Sequence, residues 1–270
     1  MPEAKRATTD GPGGVRRMVI GILQPAYLPW LGFFEQIQRV DAFVILDDVQ
    51  HTKQDWRTRN RIRAGVDEGF AYLTVPVKKA PVETLVKDVL VAYDQKWIPK
   101  HLNLLRANYA RAPHFEEHFQ GLRQVLETRP ERLVELDMRL TEYLARAFGL
   151  STPTLFSSQY DVPGRKTEKL INLCQAVGAT DLYDGWSAQN FIDPEDFRAA
   201  NLGLHYQKYT PVEYPQQYAP FLPFLSAVDA LFNCGPACPA IIRRGAEVFT
   251  AVPSPVALEG VGTGLVSRGV

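Results

Sequence analysis

Two short apolar runs, Met18–Leu23 and Ala42–Leu46, flank a stretch whose apolar residues fall at 30, 33, 34, 37 and 40. The first run stops at Gln24-Pro25, and a proline, with its fixed φ and no N–H, marks a turn there. The middle stretch has helical spacing. Strand, turn, helix, strand predicts a parallel pair with a crossover helix. If the pair is parallel, the loop after Gln24 and the loop after Asp47 lie on one edge of the sheet, where open α/β sheets bind ligands.

The rest of the chain extends that unit. Arg57–Arg63 and Phe70–Val77 alternate as strands around a turn at 65–69, a near-hairpin. Leu85–Ala92 has the length of a further strand. Residues 94–148 are helical in pattern, with one stripe at Leu102, Leu105 and Tyr109 and another at Leu133, Leu136, Leu140, Leu144 and Phe148; Gly149 follows as a C-terminal cap. A second α/β section begins at Thr154–Ser157. It continues with a helix over Gly164–Val177, strands at Leu182–Tyr183 and Leu202–Tyr206, and helices at Phe224–Phe232 and Ala240–Ala246. The fold class expected is therefore α/β: a mostly parallel Rossmann-like sheet with flanking helices and a helical lobe at 94–148. One domain is expected over 18–250, with a disordered tail at 1–17 and a loose tail at 251–270. The first tail lacks the apolar centre of a signal peptide.

Composition narrows the function. Of 270 residues, 46% are hydrophobic and 22% charged, the balance of a globular chain. Lys+Arg and Asp+Glu are each 30, so the net charge is zero and no long-range field draws in a polyanion. Nucleic acid is thereby disfavoured as the main partner. Three cysteines, Cys174, Cys234 and Cys238, do not form a disulfide framework and fit a reducing cytoplasm. No apolar run is long enough to span a bilayer. The partner expected is a small-molecule substrate; the oligomeric state stays open.

Three clusters carry chemistry. The first is the loop from Gln24 to Gly32, with Tyr27 and Trp30, between strand and helix. The second is Asp47-Asp48-Val-Gln50-His51 followed by Lys53, Trp56, Arg57, Arg59, Asn60 and Arg61. Adjacent side chains of a strand point to opposite faces, so one of the two aspartates faces the site and the other holds it, or both lie in the loop. A carboxylate here can bind an amine, act as a general base or hold Mg²⁺. The basic residues can neutralise it or grip an anion. The third cluster is Lys166 and Lys169 at a helix start, Tyr183-Asp184-Gly185, and Ser226, Asp229 and Asn233, where Ser226 could equally cap its helix. His114-x₃-His118, Cys234-x₃-Cys238 and Gly260-x-Gly-x-Gly264 lack the partners or context of a metal or dinucleotide site, and no metal is expected.

Leu23–Phe34, Asp41–Gln50, Trp56–Ile62, Leu73–Val77, Tyr183–Gly185 and Leu225–Gly235 closely resemble the WbqC-like protein family, over about residues 18–245. The resemblance implies a bacterial cytoplasmic protein associated with O-antigen and other surface-polysaccharide pathways or with natural-product biosynthesis. It also implies a transferase, with glycyl or other acyl transfer to an amino sugar among the proposals. By position it carries over Gln24, Tyr27, Asp47, Asp48, Gln50, Lys53, Trp56, Arg59, Asn60, Lys166, Tyr183, Ser226, Asp229 and Asn233. His51 departs, an aromatic being usual there.

The expected activity is amide formation on an amine-bearing metabolite. Asp47, Asp48, Gln24 and Lys53 are the catalytic candidates. Tyr27, Trp30, Gln50, Trp56, Arg59, Asn60, Lys166, Tyr183, Ser226, Asp229 and Asn233 are the binding candidates. No cofactor is demanded; ATP or Mg²⁺ stays open. Two rivals stand beside this reading: a nucleotidyl-transfer or adenylate-forming enzyme, although Trp30 and Phe33 stand where the H-x-G-H loop of the nucleotidylyltransferase fold has its histidines, and a non-catalytic sugar- or metabolite-binding protein.

Overall fold

The computed structural model describes residues 16–52, 55–65 and 69–256. Its first unit is β1 (Val19–Leu23), α1 (Leu31–Arg39) and β2 (Ala42–Ile45). β1 and β2 are parallel, with Ile20 opposite Ala42 and Leu23 opposite Ile45. β1 carries Gly21 where a Cβ would lie 2.9 Å from the ring of Phe43, so the small residue lets the ring lie across the strand. α1 turns Leu31, Phe33, Phe34 and Ile37 inward, and Phe34 meets Phe148 edge-on at 5.0 Å.

The remaining strands are β3 (Arg59–Arg63), β4 (Phe70–Thr74), β5 (Thr154–Phe156), β6 (Asp181–Gly185), β7 (Gly203–Tyr209) and β8 (Ala246–Val252). The helices are α2 (Trp97–Tyr109), α3 (Phe115–Glu127), α4 (Leu133–Ala147), α5 (Thr167–Val177), α6 (Pro194–Ala199), α7 (Ala227–Cys234) and α8 (Cys238–Arg244). The main sheet has six strands in the order β5-β2-β1-β6-β7-β8, all parallel except β8. The chain winds outward from β1 through β2 to β5, then returns to β6 and β7 on the other side. The winding reverses between β1 and β6, and ligand crevices form outside the carboxyl ends of strands at such a point. One apolar layer joins α1, the helical lobe α2–α4 and α7–α8; the other packs Ile20, Ile22, Val44, Leu182 and Leu204 against Leu170, Leu173 and Phe197.

Three local outcomes differ from the sequence pattern. Leu85–Ala92 is not a strand. Val86, Val89 and Val91 are buried, as the pattern implies, but their segment's N–H groups go to separate places: Val86 to the carbonyl of Val49, Lys87 to Asp47, Val91 to Glu131 and Ala92 to Pro76. The segment threads between the sheet edge and the lobe, with no single neighbour to ladder against. The helix expected to run to Ala246 stops at Arg244, and Ala246–Val252 pairs antiparallel with β7 as an edge strand. α6 has a start signal that the pattern reading passes over: Asp193 accepts from the N–H of Glu195 at 2.9 Å and Pro194 opens the helix. Conversely, Gly149 takes φ +68 straight after α4, as a cap requires. Of the two expected tails, residues 1–15 and 257–270 lie outside the described residues, and with them the Gly260–Gly264 run.

The amino-terminal edge of the sheet is tied by one carboxylate. Asp181, fully buried, accepts from Arg17 Nη2 at 3.1 Å, Thr180 Oγ1 at 2.6 Å and Ser254 Oγ at 2.8 Å, and its Oδ1 lies 2.8 Å from His205 Nε2. Burial alone would raise its pKa; the hydrogen bonds from His205, Arg17, Thr180 and Ser254 outweigh it and hold the carboxyl well below the usual range. A depressed carboxylate stabilises the fold above its unfolded pKa, about 3.9, and that stability is lost as pH falls. Asp181→Ala leaves Arg17 without its ion-pair partner and should lower the urea unfolding free energy by about 3–5 kcal/mol. Asp181→Asn should unfold with a shallower acid limb than the parent.

Candidate functional site

The carboxyl edge of β2 runs straight into Asp47 and Asp48. Because β5 is parallel to β2, its own end delivers Ser157 and Ser158 beside them. Asp47 is buried and fully engaged: its Oδ1 accepts from the Ser158 N–H at 2.9 Å, its Oδ2 from Ser158 Oγ at 2.8 Å, and its own N–H donates to Ser157 Oγ at 3.1 Å. Ser157 Oγ also stands 3.0 Å from Asp47 Oδ1 and 2.5 Å from Asp48 Oδ1, with one proton to give. Asp48 Oδ2 takes a 2.7 Å ion pair from Lys169 on α5, which also donates to the Val162 carbonyl. Burial would raise the Asp48 pKa, but the hydrogen bonds from Lys169 and Ser157 win, and the carboxyl is held below its ordinary value. Asp47 thus fastens two strand ends, and Asp48 is the ionised, partly exposed partner.

Two residues further on the chain enters a cleft of ≈ 970 Å³, lined by Gln50, His51, Thr58, Thr74, Val77, Val89 and the 78–84 loop. That volume suits a small organic ligand. Valines and prolines make its apolar walls, and Lys78 and Lys79 stand in its lining. Gln50 clips the loop across it by donating to the Val82 carbonyl at 2.9 Å. Among the nominated residues that are described, Gln50 is the one that lines this cleft; His51, the position that departs from the family pattern, lines it too. Lys53 lies outside the described residues.

Tyr27 is fully buried behind the cleft. Its hydroxyl pairs with His101 Nδ1 at 2.9 Å, and His101 Nε2 donates to the carbonyl of Thr74 at 3.1 Å, so Tyr27 reaches the cleft wall through a histidine. Burial pushes the His101 pKa down to about 4, which keeps the ring neutral in this relay. Asn60 is buried as well. It donates to the carbonyls of Tyr27 and Leu28 at 3.3 and 2.8 Å and accepts from Arg61 N–H at 2.8 Å, fixing the Pro-rich loop on the β3–β4 hairpin. Trp30 packs edge-on to Tyr209 at 5.2 Å. Gln24 is half-buried at the end of β1, and its Oε1 has no hydrogen bond among the described residues.

Other nominated residues serve the frame. Tyr183 donates to Glu35 Oε2 at 2.9 Å beneath α1. Ser226 caps α7 by accepting from Val228 N–H. Asp229 is fully buried and accepts from Tyr109 at 2.7 Å, Tyr214 at 2.8 Å and Gln216 at 2.9 Å. Asn233 donates to the Asp229 carbonyl at 2.7 Å. Lys166 is exposed at the start of α5, while Lys169, one turn on, makes the ion pair. Pattern reasoning passed over Ser157, Ser158, His101, Lys78 and Lys79. Ser157-Ser158 had a usable signal, two hydroxyls directly after a short strand. Asp137 had none: it is fully buried on α4, both its oxygens lack a hydrogen bond among the described residues, and burial holds it well above the usual carboxylate range despite Arg57 nearby.

These features define an α/β protein with a doubly wound sheet and a ligand-sized cleft past the carboxyl end of its second strand. The chain belongs to the WbqC-like protein family, whose model matches residues 24–240. It is 35% identical over 227 residues to an uncharacterized Mycobacterium tuberculosis protein, Rv1507c, covering 83% of this chain and 97% of that one. No solved structure matches it. Among the described residues no group of three His, Cys, Asp or Glu is placed to hold a metal ion, and no helix is long and apolar enough to cross a membrane.

Asp184, at the carboxyl end of β6, offers a pH test of this edge. Burial pushes its pKa up to about 7 against a single opposing bond from the Gly185 N–H at 2.6 Å. A raised carboxyl binds its proton more tightly folded than unfolded, so stability is greatest below about pH 4 for this group and falls as pH rises toward 7, by at most roughly 4 kcal/mol. Asp184→Asn keeps the acceptor and removes the charge. Chemical denaturation should show the variant more stable than the parent at pH 7.5 and equal to it near pH 4.

Proposed function

We propose that the protein is a transferase that forms an amide on an amine-bearing small metabolite, moving an acyl or aminoacyl group such as glycyl onto an amino sugar or a similar natural-product intermediate. The observation that carries this reading is the ≈ 970 Å³ cleft whose lining starts at Gln50, two residues past the Asp48–Lys169 pair, with cationic Lys78 and Lys79 on its wall. An amine acceptor needs a carboxylate to receive it, and an activated donor carries anionic groups that lysines can neutralise.

In the reaction the amine lone pair attacks the donor carbonyl. The N–C bond forms, the bond from carbonyl carbon to the thioester or ester leaving group breaks, and the amine proton ends on the leaving group. Asp48, held ionised by Lys169, is the group to bind the amine and take its proton; a positioned base contributes about 10²–10⁴-fold. Asp47 is a positioning residue acting through Ser157 and Ser158. Neither a metal nor a resident cofactor is required by this scheme, and the reading puts the protein in the cytoplasm, where activated donors are made.

The purified protein should convert a glycyl thioester and an amino sugar to the amide, followed by mass spectrometry. Asp48→Asn should lower kcat by about 10²-fold or more with an unchanged far-UV spectrum. Absence of product across a broad panel of activated acyl and aminoacyl donors, with the fold intact, would sink the proposal. Release of pyrophosphate from ATP in the presence of a carboxylic acid would favour the adenylate-forming alternative instead.

A further inference from the structure

The outer face of the β3–β4 hairpin is a ladder of arginines and aromatic rings. Its register sets Arg59 opposite Thr74, Arg61 opposite Tyr72 and Arg63 opposite Phe70. Successive side chains alternate, so these six residues share one face. Asn60, Ile62 and Leu73, on the other face, are buried. On the outer face the guanidinium of Arg59 lies 4.7 Å from the Tyr72 ring centre. That of Arg61 lies 5.2 Å from Phe70 and 5.8 Å from Trp56.

The groups are unequally committed. Arg63 spends its guanidinium on the carbonyls of Tyr218 and Pro220, at 2.9 and 2.8 Å. Arg61 has one bond, to the Phe224 carbonyl at 3.2 Å. The guanidinium of Arg59 has no hydrogen bond or ion pair among the described residues, and none of the six residues of this face is acidic; Asp55 is taken by Arg57. Meanwhile Trp56 is 52% and Tyr72 42% exposed. Arg59, stacked and unpaired, keeps its N–H fork free, the geometry that grips phosphate bidentately, while Arg61, with its Nε buried, offers its terminal nitrogens. Exposed indole and phenol rings beside them offer stacking surfaces.

The ladder also ends at the cleft. Thr74, the partner of Arg59, lines it, and Lys78 and Lys79 line it just beyond. A ligand lying along this path would meet aromatic rings, then Arg61 and Arg59, then the cleft with its two lysines. We propose that the hairpin face binds a nucleoside diphosphate ester: the base stacks on Trp56 and Tyr72, the diphosphate is held by Arg59 and Arg61, and the esterified sugar enters the cleft. This rests on the amide-transfer reading and names how its amino-sugar acceptor is carried. A nucleic-acid strand fits less well. The five-residue β3 spans roughly 17 Å, only two of its arginines face outward uncommitted or nearly so, and the chain as a whole is neutral.

The test is calorimetric titration of the full chain with UDP, CDP, GDP, ADP and dTDP, beside inorganic pyrophosphate and a twelve-nucleotide thymidine strand. At least one nucleoside diphosphate should bind, more tightly than pyrophosphate. Arg59→Met, which keeps the stacked stem and removes the fork, should weaken it by about ten- to hundredfold. Tyr72→Leu should weaken it by at least several-fold while pyrophosphate binding changes little. Both positions are on the solvent face, so far-UV spectra should match the parent. No binding of any diphosphate, or binding untouched by both variants, overturns the proposal. So does strand binding that is tight and salt-steep with no mononucleotide binding. Amide formation on a free amino sugar without nucleotide binding would sink this inference and leave the transferase reading standing; nucleotide binding without any amide product would do the reverse.

Discussion

The structure depends on β1 being hydrogen-bonded along both edges by parallel strands, β2 on one side and β6 on the other. A strand in that position has no solvent face, so its side chains must be apolar or absent, which accounts for the run Val-Ile-Gly-Ile-Leu. It also makes the chain wind outward in both directions from one seam. Every loop that follows a parallel strand then emerges at the same edge. The two aspartates after β2, the two serines after β5 and the aspartate near the end of β6 share an edge because of topology rather than proximity in sequence.

Placing polar groups at a buried edge has a cost that the molecule meets by closing networks. Beneath α1, Gln207 bridges the Gly32 carbonyl at 2.8 Å and Glu35 at 2.6 Å, and Gln36 reaches back to Gln207 at 3.1 Å. Tyr183 and Arg39 complete the set around Glu35. Only Gln36 Oε1 in this set is left without a described partner; satisfied networks specify one packing arrangement, whereas an open one destabilises. Asp229, with its three donors, does the same between α7 and the helical lobe. Against that background Asp137 stands out, a fully buried carboxyl with neither oxygen satisfied by a described residue, and buried polar groups left open in this way are where ligand or water is to be sought.

The elements that could be read from sequence were those in which burial and hydrogen bonding agree. β1, α1, β2 and the three lobe helices have their apolar rhythm because a single face or strand is buried along its whole length. Leu85–Ala92 reads as a strand because its valines are buried as in one, but its backbone N–H groups scatter to three other segments, and periodicity carries no information about where an N–H goes. β8 was missed because an edge strand half exposed on both faces, Ala-Glu-Val-Phe-Thr-Ala-Val, has little contrast. Among site residues, Asp47 and Asp48 were legible as charges in an unusual place. Which of them is buried was not, because that follows from Ser157 and Ser158, more than a hundred residues later and adjacent only through the parallel pairing of β5 with β2. Lys166 outranked Lys169 by resemblance, but one helical turn decides which lysine faces Asp48.

Net charge conceals the same kind of long-range arrangement. Thirty basic and thirty acidic residues cancel in the sum, and the sum is all that governs attraction at distances beyond the Debye length, about 8 Å at physiological salt. Within that length the distribution matters. Here the acids have partners of their own: Asp47 has serine donors, Asp48 pairs with Lys169 and Asp55 with Arg57. The cations of the hairpin and the cleft wall are not consumed in equal measure, since Arg59 is stacked on a ring instead of paired. A stacked guanidinium keeps its charge and its N–H fork while an ion-paired one spends both. A neutral protein can therefore present a locally cationic, aromatic surface without a long-range field, and such a surface suits a ligand whose few anionic groups sit within a Debye length of those cations. This physical reason favours a compact anionic metabolite over a polyanion, and it follows from how the charges are spent rather than from how many there are.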